Sequence, residues 1–275
     1  MIGYLVPRAT ATQRVESSQI STKPQVAHRR THVDVFGNLV SYLSVDDPHD
    51  RLEVLAESVV DVDDPAELAT DISTGEAVAL LDRQPAQHDE LAHWCRLASP
   101  MVPLSDELRD YAAPSFPSDG GVVAGLRDLS ARIFRDFEFD PHATDVATPV
   151  HEVLALRRGV CQDFAHLAVA SVRSMGLPAR YVSGYLETSA PPGYAKLVGA
   201  DSSHAWCSVY VPGLGWLDAD PTNDAVPPDR HVTVAWARDY TDVTPLRGVT
   251  FGPPSTQTLS VSVDVIRLDA GATPS

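Results

Sequence analysis

The most regular apolar spacing in the chain runs through Val122, Leu126, Leu129, Ile133 and Phe137, steps that place their side chains on one helical stripe. It follows the turn-forming Ser118-Asp119-Gly120-Gly121 and predicts the first helix of a core. A second, shorter helix is predicted after Thr148-Pro149, with Thr148 as N-cap, Pro149 in the first helical position and a left-handed end at Gly159. A third begins near Cys161, buries Ala165, Ala168, Val169 and Val172, and stops at Gly176 with Pro178 just beyond. The small residues on its apolar side let it lie close to a sheet.

From Ala179 the period falls toward two, with Tyr181, Ser183 and Tyr185 on one face and Val182 and Leu186 on the other. Further strands are predicted at 204–211, 216–220, 231–236 and 258–268, the last because Leu259, Val261, Val263 and Val265 alternate. Pro212-Gly213-Leu214-Gly215 makes a hairpin turn that brings the 204–211 and 216–220 strands together. Upstream, HVDVF and LVSYLSV within 31–45 read as strands joined at Gly37-Asn38, and LEVLAESVVDV follows as another. Residues 64–120 read as a Pro- and acid-punctuated connector with a short helix over 88–97, where Cys95 packs beside Trp94 and Leu97. The pattern is α+β, helices packed on an antiparallel sheet.

Composition narrows the function classes. The 275 residues suffice for one large or two modest domains. A net charge of -16 argues against nucleic acid as the partner, because phosphate binding needs clustered Lys and Arg. Acids crowd 61–90, where Arg83 is the single Lys or Arg, and that stretch reads as a solvated face. Three cysteines, Cys95, Cys161 and Cys207, suit a reducing compartment rather than a disulfide framework. MIGYLVPRATATQRV lacks the continuous apolar stretch of a signal peptide, and no run reaches the roughly 18 apolar residues of a membrane span. A soluble cytoplasmic protein is expected, with no membrane partner; nothing in the sequence sets an oligomeric state.

The chemistry concentrates around Cys161. A thiol at the head of a helix meets unpaired N–H groups and the positive end of the dipole, which favour a thiolate. His204 opens one strand and the Asp218-Ala219-Asp220 run ends the next, so nucleophile, base and orienting acid follow in order. Asp218 and Asp220 share a strand face, and spacing alone leaves both as candidates to orient the base. The Cys161 N–H is a ready oxyanion donor, and no second donor stands out. His166, five residues beyond Cys161 on the helix, is rotated away and reads as a structural hydrogen-bonding residue, while Asp163, Asp201 and Tyr185 are candidates to line the cleft. Cys161, His166, His204 and Cys207 are zinc-ligand types, yet alternation puts His204 and Cys207 on opposite faces. Asp61-Val62-Asp63-Asp64 starts like a calcium loop, but Ala66 stands where the turn glycine belongs and Ile72 where the bidentate Glu belongs. No metal and no cofactor are expected.

Five blocks carry a resemblance: GVCQDFAHL at 159–167, GLPARYVSGYL at 176–186, GADSSHAW at 199–206, GWLDADPTN at 215–223 and ARDYTDVTPLRGV at 237–249. In this order they resemble the transglutaminase-like superfamily, and most of all its bacterial branch of transglutaminase-like cysteine proteases. VDVFGNLVSYLSVDDPHDRLEV at 33–54 is similar to the β domain that precedes the core in that branch, although this chain starts inside the pattern, its first strand shortened or lost. The resemblance implies a papain/transglutaminase-like core over 121–275, a β-rich N-terminal domain over 1–66 and a connector over 67–120. It implies Cys161 as nucleophile, His204 as base and Asp220, in DPTN, as the orienting group. The implied chemistry is acyl transfer through a thioester from a peptide or protein substrate, with water or an amine as acceptor; some members keep the fold as scaffolds without turnover. The pattern departs at Ala237, where the branch usually has glycine.

Overall fold

The computed structural model describes residues 1–64, 70–83, 89–188, 202–227, 230–251 and 258–268. Its centre is a four-stranded antiparallel sheet of β8 (Ala179–Leu186), β9 (Ser202–Val211), β10 (Gly215–Ala219) and β11 (His231–Ala237), in the order β10-β9-β8-β11. The β9–β10 hairpin closes as expected, with Gly213 and Gly215 at positive φ (84° and 89°) and Gly215 opposite Val211.

One face of this sheet packs on α6 (Cys161–Ser174), whose Ala165, Ala168, Val169 and Val172 are all buried. These short side chains let helix and sheet approach closely. The expected stripe forms α4 (Val122–Asp136), with Val122, Leu126, Leu129, Ile133 and Phe137 all buried in the same core. Arg173, at the end of α6, is buried too, and its guanidinium donates to the carbonyls of Ala179, Leu97 and Arg238. A buried charge is tolerated there because its N–H groups find acceptors.

The helix before the nucleophile turn, α5 (Val150–Leu156), differs in its caps from expectation. Pro149 itself is the N-cap, while Thr148 bonds to Asp145. The left-handed residue is Arg157 (φ 55°) and not Gly159. The Arg157 guanidinium lies 5.0 Å and 4.8 Å from the Tyr111 and Phe137 ring centroids, contacts that offset a strained backbone. Gly159 is needed for another reason: a Cβ there would come within 2.7 Å of the Asp163 carboxylate, which accepts from the Val160 N–H at 2.8 Å and caps α6.

The connector is more helical than expected, with α1 (Thr74–Arg83) and α3 (Asp106–Ala112) besides α2 (Glu90–Trp94), and Cys95 is buried beside α2. The segment before residue 31 carries β1 (Ile2–Gly3) and the long β2 (Gln13–Lys23), the latter paired with β5 (Glu53–Val62). The hairpin of β3 (His28–Val33) and β4 (Leu39–Ser44) turns over five residues, because the Asp34 carboxylate accepts from the Phe36 and Asn38 N–H groups and ends the strand before Val35. A second sheet runs β12-β1-β4-β3, in which β12 (Leu246–Arg247) returns to the N-terminal strands. The strand expected over 258–268 does not form; only Val263 makes an isolated bridge, and Leu259, Val261 and Ile266 are exposed. Alternation there has little covered surface to serve, since only Val263 and Val265 are partly buried.

Two side-chain amides join the N-terminal region to the edge strand β11. The Gln13 amide accepts from the Thr233 N–H and donates to its carbonyl, both at 2.8 Å. The Asn38 amide does the same at Trp236, at 3.0 Å and 2.9 Å. Each amide stands in for the peptide group of a missing neighbour strand.

Gly184, in the middle of β8, is directly opposite His204. A Cβ at Gly184 would collide with the Val232 carbonyl and the Trp206 ring. Gly184→Ala is therefore expected to destabilise the protein by about 1–3 kcal/mol, seen as a loss of several degrees in Tm. An unchanged melting curve would contradict this packing.

Candidate active site

Cys161 is the first residue of α6 and partly exposed, and its side chain is one of the groups that raise the His204 pKa. His204 is buried on β9, and its Nε2 sits 2.7 Å from Asp220 Oδ2. Asp220 follows the last residue of β10 and is fully buried. The structure thus joins His204 and Asp220 through the hairpin, with Cys161 at the start of α6 acting on the His204 imidazole.

Asp218 is not the histidine's partner; its carboxylate accepts from the Trp206 indole at 2.9 Å. The two acids part because β10 ends at Ala219, where Asp220 pairs in an isolated bridge with Ala225 and turns its side chain into the cluster. Asp220 Oδ1 takes the Thr222 N–H at 2.9 Å, and Oδ2 takes Asn223 Nδ2 at 2.6 Å. Burial alone would raise the Asp220 carboxyl, but the hydrogen bonds from His204, His231 and Asn223 hold it well below the usual carboxylate range. Burial likewise disfavours a charged His204, and hydrogen bonds to Asp220 and Cys161 outweigh it, so its pKa is pushed up to about 9.

This shift has a measurable consequence for stability. Because the folded value lies above the ordinary 6.5, the stabilisation is complete below pH 6.5 and is lost as pH rises through about 9. Its size is on the order of 3 kcal/mol. Melting temperatures are expected to decline across that window, and the decline is expected to shrink in His204→Gln. Parallel curves for the two proteins would refute the linkage.

His231, at the head of β11, was not anticipated as part of the site. Its Nε2 lies 2.9 Å from the same Asp220 oxygen that His204 contacts. The strand was legible, but no spacing rule links residue 231 to 220 across the sheet. His204, Asp220 and His231 offer ligand atoms within 4.8 Å of one another, a metal-like set among the described residues. Both Nε2 atoms, however, aim at one carboxylate oxygen at hydrogen-bond distance, so those two nitrogens and that oxygen already satisfy one another.

The remaining candidates separate. His166 is buried, its Nε2 accepts from the Tyr240 N–H at 3.1 Å, and burial pushes its pKa down to about 4. Cys207 sits in the apolar core and donates to the Ala219 carbonyl at 3.2 Å, so the zinc-type quartet is dispersed. Asp163 is the helix cap. Gln162 Nε2 donates to the Val146 carbonyl, Tyr185 is partly buried against the apolar cluster that includes Ala165 and Tyr181, and Asp201 lies outside the described residues. No helix among the described residues is long and apolar enough to cross a membrane.

Comparison with known proteins gives this geometry a context. Residues 117–221 match the family described as the transglutaminase-like superfamily, and residues 1–61 match the bacterial transglutaminase-like N-terminal region. An uncharacterized protein of Mycobacterium tuberculosis is 40% identical over 276 residues, covering 98% of this chain and 87% of the relative. A protein-glutamine gamma-glutamyltransferase of Pseudomonas aeruginosa is 31% identical over 147 residues, covering 50% of this chain and 21% of that protein. The crystal structure of a candidate cysteine protease from Cytophaga hutchinsonii superposes with a TM-score of 0.67 at 21% identity, covering 89% of this chain and 78% of that one, and so shares the fold. The chain belongs to the transglutaminase-like superfamily, in the branch whose core follows the bacterial transglutaminase-like N-terminal region.

Proposed function

We propose that the protein is a cysteine-dependent acyl-transfer enzyme that opens peptide or glutamine-like carboxamide bonds through a thioester on Cys161. The observation that carries this reading is the buried His204–Asp220 contact of 2.7 Å beside a partly exposed cysteine at a helix start. His204, with its pKa pushed up to about 9, is an imidazolium at neutral pH, the partner that a thiolate needs. The Cys161 sulfur attacks the carbonyl carbon, and the negative charge on oxygen is met by the Cys161 backbone N–H. His204 then gives its proton to the leaving nitrogen, the C–N bond breaks, and a thioester remains. Water attacks that thioester while His204 takes its proton, the carbon–sulfur bond breaks, and acid and thiolate are regenerated. Asp220 holds the imidazole by its far nitrogen throughout.

The experiment is to mix the protein with a glutamine-containing peptide, quench in acid within the first turnovers and weigh the intact chain. One acyl adduct, mapped to Cys161, is expected. Adducts spread over Cys95, Cys161 and Cys207 alike, or none while ammonia or amine is released, would reject the thioester route. A second reading, an amine in place of water, draws support from the name of the Pseudomonas aeruginosa relative. Incorporation of a fluorescent amine into a glutamine-bearing protein is its distinguishing result.

A further inference from the structure

His231 enters the cluster from the opposite edge of the sheet to Asp220, since β10 and β11 are the outer strands and β9 and β8 lie between. Gly184, in β8, has no side chain to obstruct the approach, and Trp206 lies over it with its ring 5.2 Å from the His231 ring in an edge-to-face contact. The sheet therefore closes two histidines onto one acid.

We propose that His231 is a positioning residue: in its neutral Nε2–H form it donates to Asp220 and keeps that carboxylate fixed and ionised for His204. This rests on the reading of Cys161, His204 and Asp220 given above. The geometry is specific, because Oδ2 of Asp220 receives His204 at 2.7 Å and His231 at 2.9 Å, with Asn223 as a third donor. His231 is itself buried, and its Nδ1 has no hydrogen-bond partner among the described residues. A proton on Nδ1 would be a buried donor without an acceptor, so the stable form carries hydrogen on Nε2 alone. Among the described residues the titratable and aromatic groups in contact with His231 are Asp220, His204 and the Trp206 ring, and none offers Nδ1 an acceptor. A neutral donor is what the site needs, because a second buried cation would compete with His204 for the single negative charge.

The test uses His231→Ala and His231→Gln in the full chain, with kcat and KM measured separately and Cys161 alkylation by iodoacetamide followed against pH. His231→Ala is expected to lower kcat by about 10- to 100-fold with KM little changed. Its rate of Cys161 alkylation at acidic pH is expected to fall, since an Asp220 carboxylate with fewer donors takes up a proton more readily and then no longer holds the His204 imidazolium. His231→Gln, which keeps a neutral N–H donor, is expected to recover most of both. In the unaltered protein, 15N shifts at neutral pH are expected to show the Nε2–H tautomer of His231. An Nδ1–H tautomer, or a folded His231→Ala with the original kcat and alkylation profile, would overturn the proposal. Absence of turnover in the unaltered protein would sink the enzymatic reading alone, because the alkylation profile and the tautomer still report on His231.

Discussion

Replacing Cys161 with alanine is expected to lower turnover of a peptide or carboxamide substrate by about a thousandfold to a millionfold, with the fold intact. The sulfur is the only atom at this helix start that can form the covalent bond. The Cys161 backbone N–H survives the substitution, so a small residual rate above solution is expected from oxyanion stabilisation and binding. Folding should be nearly untouched, because the side chain is partly exposed and leaves no sealed cavity. Steady-state kinetics on the purified variant, with circular dichroism as a control, make the comparison. Equal rates in the two proteins would remove Cys161 from the chemistry and leave a scaffold of the same shape.

The second large effect is expected from Asp220→Asn, a loss of about a thousandfold to ten-thousandfold in kcat/KM. Asparagine keeps the size but removes the negative charge, and its amide can present N–H where the imidazole Nε2–H needs an acceptor. His204 then keeps its burial penalty without its main compensation, and its pKa falls from about 9. With less imidazolium beside Cys161 at neutral pH, alkylation of its sulfur there should slow. Asp218→Asn is the matched control. Asp218 serves the Trp206 indole, so only a modest stability loss and a few-fold change in rate are expected. If Asp218→Asn were the more damaging of the two, the division of roles between these neighbouring acids would be reversed.

The parts of this site legible in the sequence are those set by local spacing. Cys161 could be placed because a Gly-Val pair followed by an apolar helical run marks a helix start. His204 and Asp220 could be joined because a short glycine turn forces β9 and β10 to be neighbours. Periodicity alone did not separate Asp218 from Asp220, since the distinction depends on β10 ending one residue earlier than the alternation suggests. His231 was hidden for a different reason: it meets Asp220 through the closure of the whole sheet, and that depends on the bare backbone at Gly184. Tertiary context decides other elements in the same way. The 258–268 stretch alternates as a strand does but has little covered surface, and the left-handed turn went to Arg157 instead of a glycine because two aromatic rings receive its guanidinium. The strand β2 has a polar, largely exposed sequence that carries little burial signal.

The paired amides of Gln13 and Asn38 also bear on how this protein could be divided. An excised core lacking the first sixty or so residues would present β11 as a raw border, with the Thr233 and Trp236 peptide groups bared to water or to another molecule. The same ribbon carries His231 at its head, so fraying at that border would travel to Asp220 before it reached the helix. Cutting the chain at its apparent seam would thus trade a tidy fragment for one that sticks to its own kind and has lost its grip on the acid.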